Sequence, residues 1–284
     1  MSMIKTPEQI ALMREAGRVV ANTLAAVHEA AGVGVSLRDL DALAAETIAR
    51  AGATPAFLDY HPRWASVPFP GVICTSVNDA VVHGIPGGYT LQDGDLLSVD
   101  CGAFLDGWCG DAAISFIVGT PDPVDQALID ATDAALARGI EAARIGNKMG
   151  DLAYAIGGVA RRAGYGLLAD HGGHGIGRTM HAEPPVPNDG RPGRGIKLTE
   201  GLVIAIEPML ILGRKDDYYH DDDEWTLRSA NGRRAAHSEH TVAITADGPV
   251  ILTLPLLPMV QADSSVGTAV HPLLSSQAAH RDVH

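Results

Sequence analysis

The sequence predicts an α+β fold built from two similar halves that face each other across a site. Three observations carry this expectation. A helix, helix, extended order occurs twice along the 284 residues, two internal matches run without gaps at constant offsets, and carboxylates stand at corresponding places in apolar extended segments of both halves.

The first helix begins at Thr6, an N-cap residue ahead of Pro7 with Gln9 as its capping partner three residues on, and its amphipathic pattern continues to about residue 31. Ser36 caps a second helix, in which Leu37, Leu40, Leu43 and Ile48 recur near helical spacing and which stops at Gly52. A stretch rich in Pro and aromatics over 55–70 leads to an extended segment over 71–82. Strands follow over 95–102 and 108–118, flanking Asp106-Gly107, a dipeptide favoured in tight hairpin turns. The second half repeats the order, with helices over 123–144 and 151–163 and extended segments after them. Residues 39–52 match 151–164 at an offset of 112, while Leu91, Gly94 and Asp100 match Leu198, Gly201 and Glu207 at an offset of 107. The halves are therefore placed at about 6–120 and 121–255 within one domain over 1–258. Residues 259–284 lose periodicity and are expected to be disordered.

Composition narrows the function. Apolar residues make up 46% and charged residues 19%, a globular balance. Asp and Glu total 34 against 21 Lys and Arg, and a net charge of −13 excludes a primary role in gripping phosphate backbones. Cys74, Cys101 and Cys109 are too few and too irregularly spaced for a disulfide framework or a four-thiolate zinc site, which points to a reducing, cytoplasmic setting. Neither a secretory signal nor an apolar run long enough to span a membrane is present, so a soluble chain without membrane contact is expected.

The chemistry concentrates in acids on strands. In a hairpin centred on Asp106-Gly107, paired residues sum to 213, so Asp100 faces Ala113 and Asp111 faces Gly102. Asp100 and Asp111 are then diagonal neighbours on one face, about 7–8 Å apart, where two carboxylates repel unless a cation lies between them. The second half supplies Glu207 at the end of an apolar strand and Glu239 at the start of another. Each unpaired buried charge costs several kcal/mol, and cations are the expected remedy. Gly172, Gly173, Gly175 and Gly177 argue for close-packed, non-helical backbone around His174. One imidazole with four carboxylates suits Mn, Fe(II), Co or Zn, and bridging acids favour two ions over one. The spacing assigns no ligand role to His83 or His181, for which a satisfied buried histidine is the plain alternative. The acidic run over 221–224 is expected to be a solvated loop. No G-x-S-x-G elbow or thiol-protease context supports covalent catalysis.

Taken together, Asp100-x10-Asp111, Gly173-His174-Gly-Ile-Gly, Ile206-Glu207-Pro-Met and Ser238-Glu239-His-Thr resemble the metal motifs of the type I methionine aminopeptidases, metallopeptidases of the pita-bread fold. Asn78-Asp79-x3-His83-Gly-Ile-Pro and the opening from Lys5 to Gly17 are similar as well, so the resemblance covers about 4–255. It implies a curved, mainly antiparallel sheet with pseudo-twofold halves. It also implies two divalent ions (Co, Mn, Fe(II) or Zn), with Asp100 and His174 each serving one, Asp111 and Glu239 touching both, and Glu207 binding an ion and shuttling a proton. A metal-bridging hydroxide would attack the first peptide carbonyl, with His181 on the carbonyl oxygen and His83 near the scissile nitrogen. The implied substrates are N-termini beginning with Met on peptides and nascent proteins, with the Met side chain in a slot drawn from Phe69, Cys74, Met180 and Trp225. Transient ribosome contact, no stable nucleic-acid binding and a monomeric state complete the expectation. Val82 before His83, and Met180 where an aromatic often lies, depart from the pattern. The alternatives are a proline-specific peptidase of the same fold, which usually carries a large extra amino-terminal domain, and a non-catalytic binding protein, whose relatives tend to lose the ligands present here.

Overall fold

The structure is a computed structural model that describes residues 3–255. The expected tail over 259–284 and the domain limit at 258 lie outside the described residues. Helix α1 spans Pro7–Ala30, and its start closes as a capping box: Thr6 Oγ1 accepts from the Gln9 N–H, and Gln9 Oε1 accepts from the Thr6 N–H. Helix α2 spans Leu37–Arg50, behind a Ser36 hydroxyl oxygen that accepts from the Asp39 N–H. Helix α3 spans Pro123–Ala142 behind Asp122, and α4 spans Met149–Ala163, ending where Gly164 turns left-handed at φ 81°.

The hairpin of Leu96–Leu105 and Trp108–Ile117 has the register expected from its turn, with Asp100 opposite Ala113 and Gly102 opposite Asp111. Asp106 and Gly107 both take positive φ, as a two-residue turn matching strand twist requires. This hairpin belongs to a nine-stranded sheet running in space from Thr54–Pro55 through Leu96–Leu105, Trp108–Ile117, Glu239–Thr245, Val203–Ile206 and Gly172–Gly175 to Ala182–Pro187. Cys74–Val77 adds to the hairpin and Gly248–Ile251 to Glu239–Thr245, and the pairing is antiparallel throughout. Two smaller three-stranded sheets complete the fold. The halves meet where Trp108–Ile117 pairs with Glu239–Thr245.

The internal matches have structural counterparts. The isolated bridges Ser36↔Thr90 and Lys148↔Lys197 are related by the offsets 112 and 107. Helix α2 stands to the first half as α4 does to the second: Leu97, Val99, Cys101 and Ala112 pack on Leu24, Leu40 and Ile48, while Ile204, Ile206, Val242 and Ile244 pack on Leu128, Leu136, Leu152 and Ile156. Each such buried Leu or Ile contributes about 1.5–3 kcal/mol. Because side chains alternate along a strand, committing these residues to the helices sends Asp100, Asp111, Glu207 and Glu239 to the opposite face.

Candidate functional site

One row across the sheet carries Cys74, Asp100, Ala113 and Glu239 as successive cross-strand partners, so only the Ala113 methyl separates the Asp100 and Glu239 positions. Asp111 lies two residues from Ala113 on the same face. Glu207 directly follows Val203–Ile206, and Ile206 pairs with His240, which brings Glu207 beside Glu239. The backbone beneath is clamped: the Asp111 N–H donates to Thr241 Oγ1 at 3.0 Å, and the Thr241 hydroxyl donates to the Asp111 carbonyl at 2.8 Å. Asn188 Nδ2 likewise donates to the Glu207 carbonyl at 2.8 Å.

His174 arrives on the glycine-rich strand Gly172–Gly175. A Cβ on Gly173 would collide with the Ala205 carbonyl, and one on Gly175 with the Glu183 carbonyl, so the strand can lie this close only without side chains there. His174 Nδ1 stands 3.0 Å from the Gly175 carbonyl and therefore carries the proton. That leaves the Nε2 lone pair facing the acids, 3.5 Å from Glu207 Oε1 and 3.8 Å from Asp111 Oδ2.

Burial pushes the Asp100 carboxyl up to about 7. Burial, and then repulsion from neighbouring carboxylates, raises Asp111, Glu207 and Glu239 well above the usual range. Burial drives His83 and His174 down to about 3 and lowers His181, so the imidazoles are neutral near pH 7. Asp100 Oδ1, Asp111 Oδ1 and Glu239 Oε1 are enclosed without a hydrogen-bond partner. Donor atoms of Asp111, His174 and Glu239 all lie within 4.8 Å of one another. Orphaned carboxylate oxygens beside a neutral imidazole are a donor set that fits divalent cations, and the residues present suit the metal centre expected from the sequence.

The acids open onto a cavity of about 310 Å³ that also receives His83, His181, Phe69, Cys74, Met180 and Trp225, so every site residue expected from the sequence reaches one place. Trp225 anchors the apolar end, with ring centroids 5.2 Å from Phe69 and 6.3 Å from His83. His83 holds φ 60°, a left-handed backbone that costs about 1–3 kcal/mol for a residue with a Cβ, directly after the strand Ala80–Val82, and its ring reaches the cavity. His181 lies 4.2 Å from the His174 ring and 5.3 Å from Tyr60. Cys74 is a free, buried thiol whose pKa burial raises well above its ordinary value, so it serves as apolar wall and not as nucleophile.

The acidic run over 221–224 is an irregular segment with Asp222 and Glu224 exposed, as expected of a solvated loop, and it also carries contacts: Asp223 Oδ1 accepts from the Trp225 and Thr226 N–H groups at 2.9 and 2.7 Å, and Asp221 Oδ2 accepts from Arg228 at 2.5 Å. With Trp225 Nε1 donating to the Val67 carbonyl at 3.1 Å, these bonds hold the indole in the cavity wall. Phe57, Tyr60 and Trp64 line the cavity beside Phe69, although the sequence pattern marks only Phe69 within the Pro-rich stretch. Their only signal was the density of aromatics over 55–70. His237, buried beside Glu207 and Glu239, was missed altogether.

Residues 11–246 match the model of metallopeptidase family M24. The chain is 51% identical over 249 residues to methionine aminopeptidase 1 of Mycobacterium tuberculosis, covering 85% of this chain and 91% of that relative. Among solved structures, it resembles the methionine aminopeptidase of Thermotoga maritima at TM-score 0.84 and 36% identity, covering 88% of this chain and 98% of the other. A prolidase from Pyrococcus furiosus shares the fold at TM-score 0.72 and 23% identity, with 90% of this chain covering 66% of that one.

Proposed function

Because the chain belongs to metallopeptidase family M24, and within it to the methionine aminopeptidases of the pita-bread fold, we propose that this cavity removes the N-terminal Met from peptides and nascent proteins. Asp100, Asp111, His174, Glu207 and Glu239 would hold two divalent ions, Co, Mn, Fe(II) or Zn. When bound, the ions supply Lewis acidity that activates a water and polarises the first peptide carbonyl. Glu207, beside Glu239 at the end of Val203–Ile206, would accept a proton from the attacking water and return it to the departing amine. His181, neutral near pH 7, donates its N–H to the carbonyl oxygen as charge grows there. His83, also neutral, orients the scissile nitrogen from the side of Trp225.

Phe69, Cys74, Met180 and Trp225 form a slot suited to an unbranched thioether. Residues 1–258 act as one catalytic domain, monomeric and cytoplasmic, meeting the ribosome only briefly because the net charge of −13 opposes tight RNA binding. Among the described residues no helix is long and apolar enough to cross a membrane. The observation that carries the reading is the cluster of orphaned carboxylates with His174 opening directly onto an aromatic slot.

Hydrolysis of Met-Ala-Ser and Ala-Pro by the wild type and by Asp111→Ala, with and without added divalent metal, tests it. Met release that requires metal and vanishes in the variant is expected. Efficient Ala-Pro cleavage without Met release would make the protein a proline-specific peptidase, and bound ions with no hydrolysis would make it a binding protein.

A further inference from the structure

The metal-centre reading above accounts for one imidazole, yet a second lies against the same acids. His237 ends the strand Ala235–His237 and is 2% exposed. Its backbone is pinned on both sides to Ser115, whose Oγ accepts from the His237 N–H at 3.0 Å and whose hydroxyl donates to the His237 carbonyl at 2.8 Å. The ring therefore has little freedom to turn away.

His237 Nε2 is fully enclosed and has no hydrogen-bond partner. It lies 3.7 Å from Glu207 Oε2 and 3.9 Å from Glu239 Oε2. These separations are too long for hydrogen bonds. They are close to the 3.5 and 3.8 Å that separate His174 Nε2 from its own two carboxylates. Donors sharing one ion at bond lengths of about 2.0–2.2 Å stand roughly 3–3.6 Å apart, so the two separations from His237 Nε2 need shorten by only a few tenths of an ångström to suit a shared ion. Donor atoms of Glu207, His237 and Glu239 fall within 4.8 Å of one another, as do those of Asp111, His174 and Glu239.

We propose that His237 is a further metal ligand, binding through Nε2 an ion it shares with Glu207 and Glu239. The proposal rests on the two-ion reading of the site. Its consequence is a softer donor set than His174 and the carboxylates alone provide, which favours Zn, Co or Fe(II) over Mn there.

Titration of the metal-free protein with Co²⁺, followed by calorimetry and by the visible Co²⁺ absorption, tests this in the wild type, His237→Gln and His174→Gln. We expect two ions in the wild type, with one of them weakened about tenfold or more in His237→Gln and an altered absorption spectrum. Superimposable isotherms and spectra for His237→Gln and the wild type would overturn the proposal while leaving the two-ion site intact. A wild type that binds no Co²⁺ would instead remove the reading on which it rests, and the proposal with it. Should His237→Gln fail to fold, Zn²⁺ titration of the wild type with nitrogen-labelled histidine decides the matter. Ligation moves the Nε2 resonances of both His174 and His237, and a His237 resonance that stays put while that of His174 moves refutes the assignment.

Discussion

Replacing Asp100 with Asn should stabilise the metal-free protein while abolishing metal-dependent activity. Burial lifts the Asp100 carboxyl from its ordinary 3.8 to about 7. At about 1.4 kcal/mol per pH unit, ionising it in the folded chain works against folding by about 4 kcal/mol once the pH exceeds both values. The residue keeps part of its surface open to the cavity, so about half of that figure, roughly 2 kcal/mol, is the expected gain. The sign follows from proton uptake: between about 4 and 7 the folded state holds the proton more tightly than the unfolded one, and stability falls as pH rises through that window. Above it the penalty is constant, and below it the penalty disappears. In EDTA at pH 8, Asp100→Asn should therefore melt about 4–8 °C above the wild type by circular dichroism, with the gap shrinking at pH 5. An Asp100→Asn protein that melts below the wild type at pH 8, or a wild type indifferent to pH between 5 and 8, would refute the reasoning.

Adding Mn²⁺, Co²⁺ or Zn²⁺ at about 100 times its dissociation constant should stabilise the metal-free wild type by about 2.7 kcal/mol, or roughly 5–10 °C in scanning calorimetry, and leave Asp111→Ala unmoved. His181→Ala should lower kcat for Met-Ala-Ser by about 100-fold or more in steady-state kinetics, with an unchanged melting temperature. Gly173→Ala should destabilise the fold by about 3 kcal/mol or more in urea unfolding, because its methyl would press on the Ala205 carbonyl and neither backbone can give way without breaking sheet pairing.

Features set by local chemistry were legible in the sequence. Thr6, Pro7 and Gln9 announce the start of α1 because a capping box needs only neighbours in the chain. Asp106-Gly107 announces the hairpin turn, and the turn fixes the register that places Asp100 and Asp111 on one face. The duplication at 112 and 107 was visible because both halves solve the same packing problem with the same Leu and Gly spacing.

Features set by distant contacts were not legible. His237 reaches the acids only because Ser115, from the other half, pins its backbone, and nothing near it in sequence signals that. Tyr60 and Trp64 enter the cavity from an irregular stretch whose path depends on Phe69 and Trp225, the latter far along the chain.

Stoichiometric metal titration with Met release measured in the same samples tests the central claim most directly. Metal-free wild type should be inactive on Met-Ala-Ser, gain activity as Co²⁺ or Mn²⁺ is added, and reach its plateau by two ions per chain. Asp111→Ala should stay inactive throughout. Undiminished Met release in EDTA, or full activity in Asp111→Ala, would contradict the assignment of these carboxylates to a metal centre that performs the cleavage.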